Sequence, residues 1–107
     1  INVLVSNSLI RHITHINEFF ECIFSLSSKN TLNFHKDLIR PINKKYALEL
    51  KAECASKYNE TLTSDYYASL QASYRADELR NLIADKNLVH LDVLEEDNKY
   101  LILYGSV

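Results

Sequence analysis

The chain opens on Ile1-Asn2-Val3-Leu4-Val5, turns polar at Ser6-Asn7-Ser8 and runs on into Leu9-Ile10-Arg11-His12. A short apolar run of this kind reads as a buried strand of a parallel sheet, covered on both faces. Parallel neighbours are joined by a long crossover, usually a helix, so the opening points to an α/β design. It also points to a site. Ligands of open α/β sheets lie beyond the carboxyl ends of the strands, where Ser6, Asn7 and Ser8 fall. The bland alternative for those three is that they satisfy the backbone of a tight turn. A domain seldom begins with its most buried strand, and the expectation is that a partner segment belongs beside residues 1–6.

The rest of the pattern fits that design. Residues 16–27 carry Phe19, Phe20, Ile23, Phe24 and Leu26 at helical spacing, with Glu18 and Glu21 near the helix start. From Thr31 to Lys36, Leu32 and Phe34 alternate with Asn33 and His35, which predicts a second strand with the histidine turned to solvent. Asp37 to Pro41 reads as a loop, because Pro41 disfavours a helical Arg40. Asn43 is placed to cap a helix through about Tyr58, with Ala47, Leu50, Cys54 and Tyr58 on one face. Thr61 to Ser64 reads as a break, and Ser64 as the cap of a short helix holding Tyr66, Tyr67 and Leu70. A further helix spans Ala76 to Lys86 with Leu79, Leu82 and Ile83 inward, and Asn87 follows at a left-handed position. Val89 to Val93 and Lys99 to Tyr104, around the polar turn Glu95-Glu96-Asp97-Asn98, form a closing β-hairpin.

Composition narrows the function classes. At 107 residues the chain is one domain. It holds one glycine, Gly105, and one proline, Pro41, where an average chain has about 7% glycine. A glycine-rich phosphate loop or dinucleotide fingerprint is therefore excluded within it. A net charge of −2 gives no footprint for nucleic acid or an anionic membrane. No apolar run approaches the ~20 residues of a membrane span. Cys22 and Cys54 read as reduced core residues of a cytoplasmic protein.

The titratable residues leave several roles open. His12 suits a substrate contact or a general base near neutral pH, and suits packing at the strand–helix junction equally well. His12 and His15 lack a third neighbour for zinc, so no metal site is expected. Asp37 sits where catalytic side chains gather, at the carboxyl end of the second strand, and serves equally as a cap of the following loop. Arg40 is placed to pair with Asp37 or with a carboxylate substrate. Ser69, His12 and Asp37 do not make a hydrolase triad, because no G-x-S-x-G elbow is present. Of the tyrosines between residues 42 and 74, Tyr66 and Tyr67 are the candidates to line a substrate pocket.

Taken in order, these segments resemble the C-terminal half of a class I S-adenosylmethionine-dependent methyltransferase. Val5-Ser6-Asn7-Ser8-Leu9-Ile10-Arg11-His12-Ile13 resembles the V-S-N-S-L-L-H-H-L segment after the fourth strand of many such enzymes. Phe34 to Pro41, with Asp37, Arg40 and Pro41 in register, resembles the fifth strand and its D-L-x-R-P loop. Asp65-Tyr66-Tyr67-Ala68-Ser69-Leu70, Ser73-Tyr74 and Asp77-Glu78-Leu79-Arg80 resemble the insertion and the helix before the terminal hairpin. Val89 to Val107 resembles the sixth and seventh strands. The chain departs from the pattern at Asn2, where the family has an acid, at Arg11 in the histidine pair, and at Lys29-Asn30-Thr31, where the family has P-G-G.

The resemblance implies half of a Rossmann-like methyltransferase sheet: two parallel strands, a crossover helix, a helical insertion or lid over residues 42–74, and an antiparallel hairpin. It implies a small-molecule methyl acceptor and S-adenosylmethionine as cofactor, held mainly by an N-terminal half outside this chain. Ser6, Asn7 and Ser8 would line the cofactor, His12 and Asp37 would be catalytic, and Arg40, Tyr66 and Tyr67 would meet the acceptor. The edge of strand 1–6, which pairs with the first strand in the family fold, would invite self-association or a cover by rearranged helices. The chain alone would be inactive. The competing reading is a non-catalytic α/β interaction module or a degenerate methyltransferase remnant.

Overall fold

The computed structural model describes residues 3–13 and 15–107. The strand β1 spans Val3–Asn7, and Ile1 and Asn2 of the expected strand lie outside the described residues. A 3₁₀ turn at Ile10–His12 leads to α1, Ile16–Leu26, and then to β2, Leu32–Leu38. Three helices follow: α2, Lys44–Ala55; α3, Glu60–Ala72; and α4, Ala76–Asp85. The strands β3, Leu91–Glu96, and β4, Tyr100–Gly105, close the chain. The sheet order is β1-β2-β4-β3. The first pair is parallel, with Val5 opposite Phe34, and the other two are antiparallel. The fold is thus α/β with a four-stranded mixed sheet, and the last strand lies between β2 and β3.

Local chemistry accounts for most element ends. The Asn43 side chain accepts the Tyr46 N–H at 2.8 Å and starts α2. The Asn59 side chain accepts the Leu62 N–H at 2.9 Å and starts α3. The third helix therefore begins ahead of Ser64, and the expected break at residues 61–64 is helical. Asn87 has φ 57° after α4, and Asp97 and Asn98, with φ 54° and 56°, turn the hairpin. Asparagine and aspartate tolerate this left-handed region better than most residues. Gly105 has φ 122°, and a Cβ there would lie 2.0 Å from the His90 carbonyl oxygen. The single glycine stands where no side chain fits.

The core lies on one face of the sheet. Phe19, Phe20 and Ile23 of α1 and Leu79 and Ile83 of α4 pack with Leu91, Val93, Leu101 and Leu103. Each such side chain contributes about 1.5–3 kcal/mol of burial. Phe24, Leu26 and Cys22 lie outside this core and are exposed, so the buried stripe of α1 is narrower than its apolar pattern.

The strand β2 reverses the expected polarity. Asn33, His35 and Asp37 face the helices and are buried, with His35 only 1% exposed. His35 therefore does not face solvent, and Asp37 belongs to the strand rather than to the loop. The opposite face is open: Val3 is 56%, Val5 65%, Leu32 60% and Phe34 46% exposed. The strand β1 is the edge of the sheet and is not covered on both sides, contrary to the reading of its apolar run.

Candidate functional site

The inward polar face of β2 is held by hydrogen bonds that come from distant segments. His35 Nε2 meets Asn33 Oδ1 at 2.9 Å, and His35 Nδ1 meets Ser6 Oγ at 2.7 Å. The amide oxygen can only accept, so Nε2 carries the proton and Nδ1 accepts from the Ser6 hydroxyl. Asn33 Nδ2 donates to Ser27 Oγ at 3.2 Å. The Phe19 ring stands edge-on to the imidazole at 5.1 Å. Burial lowers the His35 pKa from 6.5 to about 4, which keeps the ring neutral at physiological pH. The arrangement joins β1, β2 and the end of α1 around one imidazole.

One residue pair further along, Asp37 is fully engaged. It accepts the Arg11 backbone N–H at 2.9 Å and the Leu38 N–H at 2.7 Å, and it pairs with the Arg11 guanidinium. Arg11 thereby anchors the 3₁₀ turn to the carboxyl end of β2. Its Nε is buried without a hydrogen-bond partner. That uncompensated N–H adds to the desolvation cost of the pair. Arg40 does not pair with Asp37. Its guanidinium lies 3.0 Å from Glu78 and reaches the Ser73 carbonyl at 3.4 Å.

The sequence-derived residues divide into groups. Ser6 turns its hydroxyl inward to His35, whereas Asn7 is exposed and Ser8 half-buried at the rim. Ser8 has φ 65°, and its N–H donates to the Lys36 carbonyl at 2.8 Å, so the chain turns sharply where β1 ends. His12 is exposed on the 3₁₀ turn that Asp37 anchors. Arg40 and Tyr67 share one hollow of about 440 Å³ with Asn43 and Gln71. Tyr66 lines a different hollow, of about 420 Å³, with Tyr58, Lys99 and Tyr100. Tyr66 and Tyr67 are thus not brought to one pocket.

The second hollow holds the residues that sequence reading passed over. Tyr100 lies opposite Leu38 in the β2–β4 ladder, and the Lys99 carbonyl accepts the Ile39 N–H at 3.0 Å. These contacts put the start of β4 at the carboxyl end of β2, where ligands of open α/β sheets gather. The signal was the Lys-Tyr pair after the hairpin turn, but its place depends on β4 pairing with β2. Burial, with a smaller contribution from Tyr100, raises the Tyr66 phenol pKa. Among the described residues no three His, Cys, Asp or Glu side chains converge as a metal set, and no helix is long and apolar enough to cross a membrane. Compared with protein-family models and with curated proteins, the chain matches none.

Proposed function

We propose that this chain is a portion of an S-adenosylmethionine-dependent methyltransferase that acts on a small-molecule acceptor. The observation that carries the reading is the parallel β1–β2 pair with a polar rim at its carboxyl end, an open β1 edge and an uncovered apolar face. Parallel strands are usually covered on both faces, so the arrangement suits a sheet that continues into further chain. Resemblance of the ordered segments supplies the identity of that further part, a cofactor-binding half.

The residues present fit one wall of such a site. Asn7 and Ser8 offer an amide and a hydroxyl at the rim for the polar edges of a nucleoside. The Asp37 carboxylate at this end of the sheet is taken up by Arg11, and the sequence has no glycine-rich loop, so in this reading the grip on the cofactor belongs to the other half. The cofactor, when bound, supplies a methyl group already activated on a sulfonium, and the protein's task is to orient the acceptor. His12 stands ready to take the acceptor proton. Asp37, engaged by Arg11, acts by fixing the turn that carries His12, which makes it a positioning residue. Arg40, Tyr66 and Tyr67 flank the approach from the helical insertion, which serves as a lid.

The test is methyl transfer from labelled S-adenosylmethionine to a panel of small phenols, acids and amines, using the polypeptide extended by its preceding coding sequence. Transfer that falls at least about tenfold in His12→Ala, a loss of about 1.4 kcal/mol of transition-state stabilisation, is the expected result. No transfer to any member, in a protein that folds, favours the second reading, a non-catalytic interaction module or a degenerate remnant. That reading draws on the same exposed apolar face.

A further inference from the structure

The hollow between α2, α3 and the start of β4 has a composition that selects a ligand. Three tyrosines, Tyr58, Tyr66 and Tyr100, and the aliphatic Leu50 and Leu62 form its walls. Such walls favour a flat ring, which stacks at little entropic cost. Its volume of about 420 Å³ falls in the range of small-molecule sites, about 300–1,000 Å³.

The charges set the sign of the ligand. Lys57, Lys99 and Glu53 border the hollow. Glu53 lies 4.0 Å from Lys57 on the same helical face and offsets that cation. The Lys99 ammonium has no ion pair among the described residues. Lys36, over the Tyr100 ring at 4.6 Å, is already paired with Glu96 at 2.9 Å. The terminal carbonyls of α2 are taken up by its own C-terminal turn: Ala52 by the Ser56 N–H, Cys54 by those of Lys57 and Tyr58. The Tyr66 phenol, with its raised pKa, stays a neutral hydrogen-bond donor and does not repel an anion. What remains is one cation, Lys99, without an ion pair among the residues that line a tyrosine-walled hollow.

We propose that this hollow binds a single-ring aromatic carboxylate, its ring between Tyr66 and Tyr100 and its carboxylate on Lys99. In the methyltransferase reading this is the acceptor, and the inference rests on that reading only for the chemistry that follows binding. Binding itself needs no cofactor.

Calorimetric titration of the chain with benzoate, benzyl alcohol and tetramethylammonium tests it. For a ligand of this size the expected affinity for benzoate is on the order of millimolar. Lys99 is half-exposed, so Lys99→Ala retains the fold. It is expected to weaken benzoate about tenfold and leave benzyl alcohol unchanged. Tyr66→Leu is expected to weaken both ring compounds. Absence of benzoate binding, or equal binding by Lys99→Ala, overturns the proposal. So does tighter binding of tetramethylammonium, which would make the tyrosines a cation cage. Each of these failures leaves methyl transfer to a different acceptor untouched, whereas benzoate binding without methylation in the extended protein counts against the function alone.

Discussion

The most informative residue is His35, a polar side chain on the buried face of a strand whose apolar side chains face water. Its neutral form is the native one. The unfolded imidazole takes a proton near pH 6.5 and the folded one only at about 4, so across that window the unfolded state binds more protons. Stability is therefore full above pH 6.5 and falls as pH drops towards 4, by ~3 kcal/mol in total. Urea unfolding at a series of pH values checks this, and His35→Gln is expected to flatten the slope. Asp37 is the second decisive residue. Asp37→Asn leaves the Arg11 guanidinium buried without its counter-charge, at an expected cost of about 3 kcal/mol. Arg40→Gln breaks the half-exposed contact with Glu78 and the long hydrogen bond to the Ser73 carbonyl, and less than about 1 kcal/mol is expected from it in the same assay.

At the scale of elements, the ends are written locally and the faces are not. Asn43, Asn87 and the polar hairpin turn were legible because capping and left-handed backbone depend on one or two side chains. The start of α3 was less so. Asn59 and Ser64 are both capping residues, and the earlier one wins while Thr63 tucks in, its hydroxyl on the Asn59 carbonyl at 2.9 Å. The polarity of β2 was not legible. Alternation says that two faces differ, and the usual choice buries Leu32 and Phe34. Here the polar face is the covered one because Ser6, Ser27 and Arg11, remote in sequence, satisfy it. The hairpin adds a backbone prediction. Gly105→Ala forces a side chain against the His90 carbonyl at a left-handed φ. The expected loss exceeds about 2 kcal/mol, read as a lower thermal midpoint with the helical circular dichroism unchanged below it.

The whole molecule is a sheet with α1 and α4 on one face and, at β1 and β2, an open apolar surface on the other. Its order of strands and helices was readable from sequence. The placing of β4 beside β2, and with it the tyrosine hollow, was not, because that pairing joins segments far apart in sequence, from Leu38 with Tyr100 to Asn33 with Gly105. The rim at Ser6, Asn7 and Ser8 was readable from the strand end alone, but the inward turn of Ser6 followed from the polarity of β2. The β1 edge carries no charge, proline or bulge among Val3–Asn7, the devices that keep edges apart. In isolation, the 107-residue chain is expected to pair through this edge with a second copy, the two open faces of β1 and β2 becoming continuous. Light scattering should give a dimer mass, and Val5→Lys, a charge on the exposed side of the edge, should return the monomer. A monomer for both proteins removes the proposed pairing.

We propose that the carboxyl rim of β1 and β2 is one wall of a cofactor site whose grip lies on another part of the fold. Calorimetry with S-adenosylmethionine measures it directly, on the 107-residue chain and on the same chain extended by its preceding coding sequence. The expected result is negligible heat from the chain alone and saturable binding by the extended protein, weakened by Asn7→Ala. Tight binding by the chain alone, or none by a folded extended protein, would contradict it.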